Sequence, residues 1–327
     1  MWGRQTHVIS VGGNALEVDG NGDIKSQRLA VLEPVAVIAD LFRQGNRIAL
    51  THGNGPQVGN IAHRFAIAQA EGVLYQVPLD LIVADTQGGI ASIFLQALHE
   101  ELYDERTRLH RKIGGVVTMV EVDPMHPGFQ KPTKPIGLEL SPELIKKLQV
   151  PWDLIDYKDG KRRIVASPEP LDIIDIDLIR DLVKLGYLTI CCGGGGIPVA
   201  RHNGGKLVPL EAVIDKDRTT ALLGIQMKAD RVTTLTKPRG VIMDFDRDGP
   251  EGEIHKILKA SHALGLGREL DDGGMGPKLE AAANFVMGRN ASRWRGFRNK
   301  CAVITNAANV RRSFEGFGEG GTWIVPD

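Results

Sequence analysis

The sequence predicts an α/β fold built from parallel units, and three observations carry that expectation. Apolar runs end in glycine clusters three times: Val8 to Val11 before Gly12-Gly13-Asn14, Ile48 to Leu50 before Gly53-Asn54-Gly55, and Leu188 to Cys192 before Gly193-Gly194-Gly195-Gly196. A helical pattern from Gln27 to Gln44 lies between the first two strands, an order that implies a right-handed crossover between parallel neighbours. Finally, strand after strand delivers glycine to one sheet edge, where bare backbone N–H groups can hold phosphate in a chain whose 40 Lys+Arg balance 40 Asp+Glu.

The elements follow in order. Val8 to Val11 reads as a buried strand, and Gln27 to Gln44 carries Leu29, Leu32, Val35, Val37, Ile38 and Leu41 at near-helical spacing before Gly45. Arg47 to Thr51 is a second strand, Pro56 to Gln69 and Thr86 to Leu102 are helices, and Val116 to Val122 is a strand. From Asp123 the proline-rich stretches Asp123-Pro124-Met125-His126-Pro127 and Lys131-Pro132-Thr133-Lys134-Pro135 interrupt the alternation, and Asp159-Gly160 fits a hairpin turn. Residues 123–167 therefore read as a small excursion from the main sheet. Alternation resumes with a helix over Ile173 to Leu185, the strand Leu188 to Cys192, a helix over Arg218 to Ala229 and the strand Arg231 to Leu235. A helix over Pro277 to Met287, a strand over Lys300 to Thr305, a loop over Gly316 to Gly321 and a last strand over Thr322 to Val325 complete the chain.

Composition excludes little by itself: 327 residues, 42% hydrophobic and 24% charged, suit one α/β domain with an insertion. The balanced charge points to neither nucleic acid nor an anionic membrane, so any anion affinity must come from local geometry. No stretch approaches the roughly 20 apolar residues of a membrane span, and the opening residues lack a signal-peptide pattern, so a cytoplasmic protein is expected. Cys191, Cys192 and Cys301 lack metal-ligand spacing and read as reduced thiols.

Neither GxxxxGK[ST] nor a complete GxGxxG occurs, and Gly193 to Gly196 runs into Ile197-Pro198 where a dinucleotide fingerprint would open a helix. Three lysines stand out by context: Lys134 before Pro135, Lys216 before Asp217, and Lys278 after Gly273-Gly274-Met275-Gly276-Pro277. Most lysines are solvated, but phosphoryl transfer requires cations clamped around a moving, negatively charged group. Lys278 just inside a helix start would add its charge to free amides and a favourable dipole. Asp217 could orient the lysines or serve as an N-cap. His52 could donate to a substrate or be a satisfied structural group, and Asn14, Asn54 and Gln57 are amides suited to a small planar ligand or to turn-making.

Together these stretches resemble the carbamate kinases of the amino acid kinase superfamily. The resemblance rests on Val11 to Leu16, Thr51 to Gly59, Pro132 to Gly137, Gly193 to Val199, Glu211 to Asp217 and Met275 to Lys278, in the family's order. It implies an open, mostly parallel sheet between helix layers, a small protruding subdomain over 123–167, an acceptor half over 1–185, a nucleotide half over 186–327, and a homodimer. It implies reversible phosphoryl transfer between ATP and carbamate, with Mg2+ arriving on the nucleotide and no metal ligand from protein side chains. By resemblance, Lys134, Lys216, Asp217 and Lys278 are catalytic. Gly12, Gly13, Asn14, Gly53, Asn54, Gly55 and Gln87 would hold carbamate and the phosphoryl group. Gly194, Gly195, Lys216, Thr236, Met275, Gly276 and Lys278 would hold ATP or ADP. The chain departs from the family at Lys237-Pro238-Arg239, where an acidic pattern is usual, and at Asp85-Thr86, ahead of Gln87. Two rival readings follow, a related acyl-phosphate-forming kinase with another acceptor and a non-catalytic ligand-binding paralogue, while an NAD-dependent oxidoreductase lacks its fingerprint.

Overall fold

The computed structural model describes residues 5–12, 24–104, 112–148, 150–245, 249, 252–270, 274–288 and 300–327. The chain opens with β1 (Thr6–Val11), α1 (Ile24–Ala30), α2 (Leu32–Arg43), β2 (Arg47–His52), α3 (Gly55–Ala70), α4 (Leu79–Glu101) and β3 (Ile113–Gly115). It continues through β4 (Met119–Val122), β5 (Lys134–Leu140), α5 (Pro142–Leu148), β6 (Leu154–Tyr157), β7 (Gly160–Val165) and β8 (Pro170–Ile173). The second half comprises α6 (Ile176–Lys184), β9 (Leu188–Ile190), β10 (Ile197–Arg201), β11 (Leu207–Pro209), α7 (Lys216–Met227) and β12 (Arg231–Leu235). Last come β13 (Ile257–Lys259), α8 (Ala260–Glu269), α9 (Met275–Met287), β14 (Cys301–Thr305), α10 (Ala307–Glu315) and β15 (Thr322–Val325).

The main sheet has eight strands in the order β13-β15-β14-β12-β1-β2-β9-β3. From β14 to β3 every pairing is parallel, and β15 runs antiparallel to β14. The strands are apolar on both faces, as a sheet covered on both sides requires. Val8, Ala49 and Val232 pack with Ala221, Leu279 and Phe285 of α7 and α9, whereas Ile9, Val11, Leu50 and Ile190 pack with Ile38, Phe94 and Val310 of α2, α4 and α10. The expected layering, a mostly parallel sheet between helices, is thus present.

Register places the strand ends together: Val11 is level with His52 and with Leu235, and Leu235 with Thr305. Consequently the turns after β1, β2, β12 and β14 all emerge on one edge, the place where α/β sheets bind ligands. Two smaller sheets stand beside the main one, β11-β10-β4-β8 and β5-β7-β6. The latter spans Lys134 to Val165 and contains the expected hairpin, with Lys158 and Asp159 between β6 and β7. It docks on α3 through glycine: a Cβ added to Gly59 would stand 2.0 Å from the backbone of Gly137.

Several expectations change. The helix expected over Gln27 to Gln44 is two, because Pro34 has no N–H for the carbonyl of Ala30; Leu29 and Leu32 are exposed. The strand expected over Val116 to Val122 is shorter, β4 (Met119–Val122) in a side sheet, with β3 of the main sheet ending just before it at Gly115, and the stretch read as a helix from Ile173 ends β8 first. Helix α4 begins at Leu79 and spans 23 residues, and with a mean hydropathy of 1.4 over an 18-residue stretch it is long and apolar enough to cross a membrane by length and composition, contrary to the sequence reading. Its Leu79, Ile82, Val83, Ile90, Phe94 and Leu98 are buried in the hydrophobic clusters of this fold.

Candidate active site

Helix α7 starts where it does because Asp215 caps it: its Oδ1 accepts from the amides of Asp217 at 2.9 Å and Arg218 at 3.2 Å. The cap position is thus Asp215, which frees Asp217 for the lysines. Asp217, 4% exposed, accepts from Nζ of Lys216 on Oδ1 and meets Nζ of Lys278 at 3.3 Å on Oδ2. Lys278 lies in the first turn of α9 and also donates to the carbonyl of Gly274 at 3.2 Å. One carboxylate therefore ties together the N-termini of two helices, α7 and α9, each of which contributes a partial positive charge.

Lys134 comes from the start of β5 in the small three-stranded sheet. Its Nζ donates to the carbonyl of Ile214 and to Oδ2 of Asp215, both at 3.3 Å, which brings β5 to the α7 cap. Lys216 reaches the end of β1, donating to Oγ of Ser10 at 3.2 Å. Three lysines against two aspartates leave one positive charge in excess. Burial pushes the Lys216 ammonium below its ordinary range, with Lys278 adding to the fall and Asp217 opposing it. Lys278 goes the other way, held above its ordinary range mainly by Asp217. Burial would raise Asp215, but Lys134 and Lys216 overcome it and hold the carboxyl well below the usual range.

The glycine turns meet this cluster from the other side. Gly194 has φ +65°, and a Cβ there would stand 2.5 Å from Nδ2 of Asn54, so only glycine lets the Gly193–Gly195 turn close on the turn after β2. Thr219 of α7 donates to the carbonyl of Gly195 at 2.9 Å, and Thr220 pairs its hydroxyl with that of Thr51 at 2.9 Å. The site is therefore one connected assembly running from Asn54 through Gly194, Gly195 and Asp215 to Lys216, Asp217 and Lys278. Thr236 stands at the end of β12 with its amide on the carbonyl of Thr305, and Met275 and Gly276 open α9.

Corrections accompany this convergence. The amides of Gly12, Gly53 and Gly195 are not bare donors: they bond the carbonyls of Leu235 at 2.9 Å, Val11 at 2.9 Å and Cys192 at 3.1 Å. Their service is close approach, since a Cβ on Gly12 would crowd the Leu235 carbonyl at 2.9 Å and come within 4.0 Å of Cε of Lys216. Gln87 braces backbone: Nε2 donates to the carbonyls of Gly193 at 3.0 Å and Thr118 at 3.4 Å, and Oε1 accepts from the Thr118 amide at 2.7 Å. His52 is fully buried on Phe94, with Nδ1 3.0 Å from the Gly53 carbonyl oxygen, and burial keeps it neutral with a pKa of about 4. Asn54 donates to Oγ1 of Thr86 at 3.3 Å, and Gly55 begins α3. Gly13 and Asn14 lie outside the described residues.

Sequence reasoning missed Ser10, Asp215 and Thr219 as members of the site. Ser10 was visible as the one hydroxyl in an apolar run, and Asp215 as an N-cap residue ahead of a helical stretch. The Lys237-Pro238-Arg239 turn follows Thr236 directly; the Lys237 carbonyl accepts from Nδ2 of Asn306 at 3.4 Å and Nη2 of Arg239 donates to the carbonyl of Gly252 at 3.1 Å.

Comparison with known proteins agrees with this arrangement. The sequence profile of the amino acid kinase family matches residues 5–292. A carbamate kinase of Thermoplasma volcanium is 36% identical over 327 residues, covering 98% of this chain and 99% of the relative. A carbamate kinase-like protein of Escherichia coli is 35% identical, covering 94% of this chain and 96% of its own. Among solved structures, carbamate kinase from Giardia lamblia bound to AMP-PNP superposes with a TM-score of 0.84 at 32% identity, covering 99% of both chains. With that match over nearly its whole length, the chain belongs to the amino acid kinase family, among its carbamate kinases and their close relatives.

Proposed function

We propose that this chain is a carbamate kinase, moving a phosphoryl group reversibly between ATP and carbamate. The observation that carries the reading is the Lys216–Asp217–Lys278 bridge at two helix N-termini, beside Lys134. A carboxylate oxygen of carbamate attacks the γ-phosphorus in line, the new O–P bond forms as the bond to the ADP oxygen breaks, and the departing electron pair stays on ADP. Carbamate is already an anion, so no general base is needed. Charge spreads over the equatorial phosphoryl oxygens in flight, and Lys216 and Lys278 meet it there while Lys134 closes from the subdomain. Asp217 keeps both ammonium groups aimed at the same place.

Mg2+ belongs with the nucleotide phosphates. Asp215 and Asp217 already face lysines, and among the described residues no group of three or more His, Cys, Asp or Glu side chains is placed to hold a metal ion. When bound, the ion supplies charge neutralisation on the phosphates. A cytoplasmic homodimer completes the proposal, and sedimentation of the purified protein tests its oligomeric part.

The reaction is tested by offering ADP and Mg2+ with a panel of acyl phosphates, carbamoyl phosphate and acetyl phosphate first, and following ATP. Preference for carbamoyl phosphate supports the reading. ATP from another acyl phosphate alone identifies a sister kinase, and ATP from none of them identifies a binding protein.

A further inference from the structure

The opposite edge of the main sheet holds a cavity that phosphoryl transfer does not use. It has a volume of 1170 Å3 and is lined by His7, Arg231 and Cys301 at strand starts, with Asn46, Phe314 and Trp323 around them. At about 3.3 Å per residue, β1 alone separates this edge from Gly12 by roughly 17 Å, so the two sites are distinct.

Arg231 is only 6% exposed. Its Nε donates to Oγ1 of Thr233 at 2.9 Å, Nη1 to the Ser313 carbonyl at 2.8 Å and Nη2 to Oγ of Ser313 at 2.5 Å. The guanidinium carbon lies 3.8 Å from the Phe314 ring centroid and 4.8 Å from that of Trp323. Every one of these partners is neutral. Neighbouring Asp230, which with Glu315 also lines the cavity, turns its Oδ2 to the amide of Thr6 at 2.8 Å, and among the described residues the hydrogen bonds of Arg231 go to Thr233 and Ser313 and to no carboxylate. His7, 2% exposed, has Nδ1 without a hydrogen-bond partner among the described residues. A buried cation is normally paired, and the Ser313 carbonyl at the last turn of α10 offers only a dipole. Burial lowers Arg231 to about 10 and, with Arg231 adding to it, lowers His7 to about 3, so the histidine is neutral and Arg231 is the buried cation of a cavity whose lining also includes Lys300.

We propose that this cavity is a second binding site, for a small organic anion with a flat apolar body whose acidic group pairs with Arg231 and whose rings lie against Phe314 and Trp323. At 1170 Å3 the cavity lies at the upper end of small-molecule sites, which run to about 1,000 Å3 and are mostly apolar with a few convergent polar groups. A guanidinium lying against two rings keeps its free N–H edge for an acid, and the rings offer an arene contact. Cys301, a free thiol at the start of β14 that lines the same space, is a built-in reporter of occupancy.

The test uses 8-anilino-1-naphthalenesulfonate on the full chain, with AMP-PNP saturating the nucleotide site. One saturable fluorescent site is expected, with affinity cut at least about tenfold in Arg231→Met. Gln44→Trp, at the exposed rim, should block it with the fold intact, and bound probe should slow alkylation of Cys301 by iodoacetamide. The uncharged parent arene, 1-anilinonaphthalene, should bind far more weakly. Overturning results are no saturable binding, displacement by AMP-PNP, or affinity equal in parent, Arg231→Met and Gln44→Trp; Arg231 is then a structural arginine only.

Discussion

Replacing Asp217 by Asn keeps the shape of the side chain and removes the charge that Lys216 and Lys278 share. At the 3.3 Å separation of Lys278 from Asp217, Coulomb's law with an effective dielectric constant of about 20 gives a gross attraction near 5 kcal/mol. Desolvation offsets much of that, and losing one partner of a buried pair costs about 3–5 kcal/mol. Two ammonium groups left facing each other separate, and the transition state loses donors aimed at it, for which a kcat lower by about 10²–10³ is expected. The pH profile carries the sharper signature. Lys278 titrates above the ordinary lysine range because of Asp217, so in the variant it loses its proton at lower pH, and the alkaline limb of kcat should move toward neutrality. Coupled detection of ATP from ADP and carbamoyl phosphate across the neutral-to-alkaline range reads both effects, and urea unfolding reports the fold. An unchanged kcat with an unmoved alkaline limb in a folded variant would refute the shared-carboxylate account.

Other outcomes follow from the same geometry. Gly59→Ala sets a Cβ 2.0 Å from the Gly137 backbone, so the subdomain must lift and carry Lys134 from Asp215; kcat should fall by about 10-fold or more with AMP-PNP affinity retained, as calorimetry can show. Gln87→Leu removes three hydrogen bonds that fix the Gly193 turn to Thr118, and urea unfolding should show a loss of about 2–4 kcal/mol. Buried His52 and His63 have folded pKa values of about 4 against 6.5, so below 6.5 the unfolded chain takes up protons that the native one refuses. Stability should therefore fall as pH drops from about 6.5 to about 4, by roughly 3 kcal/mol for each histidine, and urea midpoints at stepped pH check the sign.

Much of this was legible in the chain because parallel strands are apolar on both faces and end at glycine, which marks β1, β2 and β9 without reference to their partners. Lys278 declared itself by its place at a helix start, and residues 123–167 by their prolines. The rest was set by distant contacts. Sequence offered Asp217 as either a cap or an ion-pair partner, and only the Asp215 hydrogen bonds to Asp217 and Arg218 decide between them. Likewise Gly12 and Gly53 look like open donors until the register shows their amides on Leu235 and Val11. Strands β10 and β11 were unreadable because they pair with each other, and β10 with β4, in a side sheet of strands only three to five residues long. Arg231 belongs to a run that reads simply as a strand, and nothing local announces that its charge is buried against two aromatic rings.

The central claim is that separate turns assemble one cationic site for a phosphoryl group in transit. Its most direct test is the initial rate of ATP formation from ADP, Mg2+ and carbamoyl phosphate, measured side by side for the parent chain and for Lys278→Met at equal, folded concentration. The account predicts saturable turnover in the parent and a rate lower by about 10² or more in the variant. Equal rates in the two proteins, or no ATP from the parent above the enzyme-free control, would contradict it.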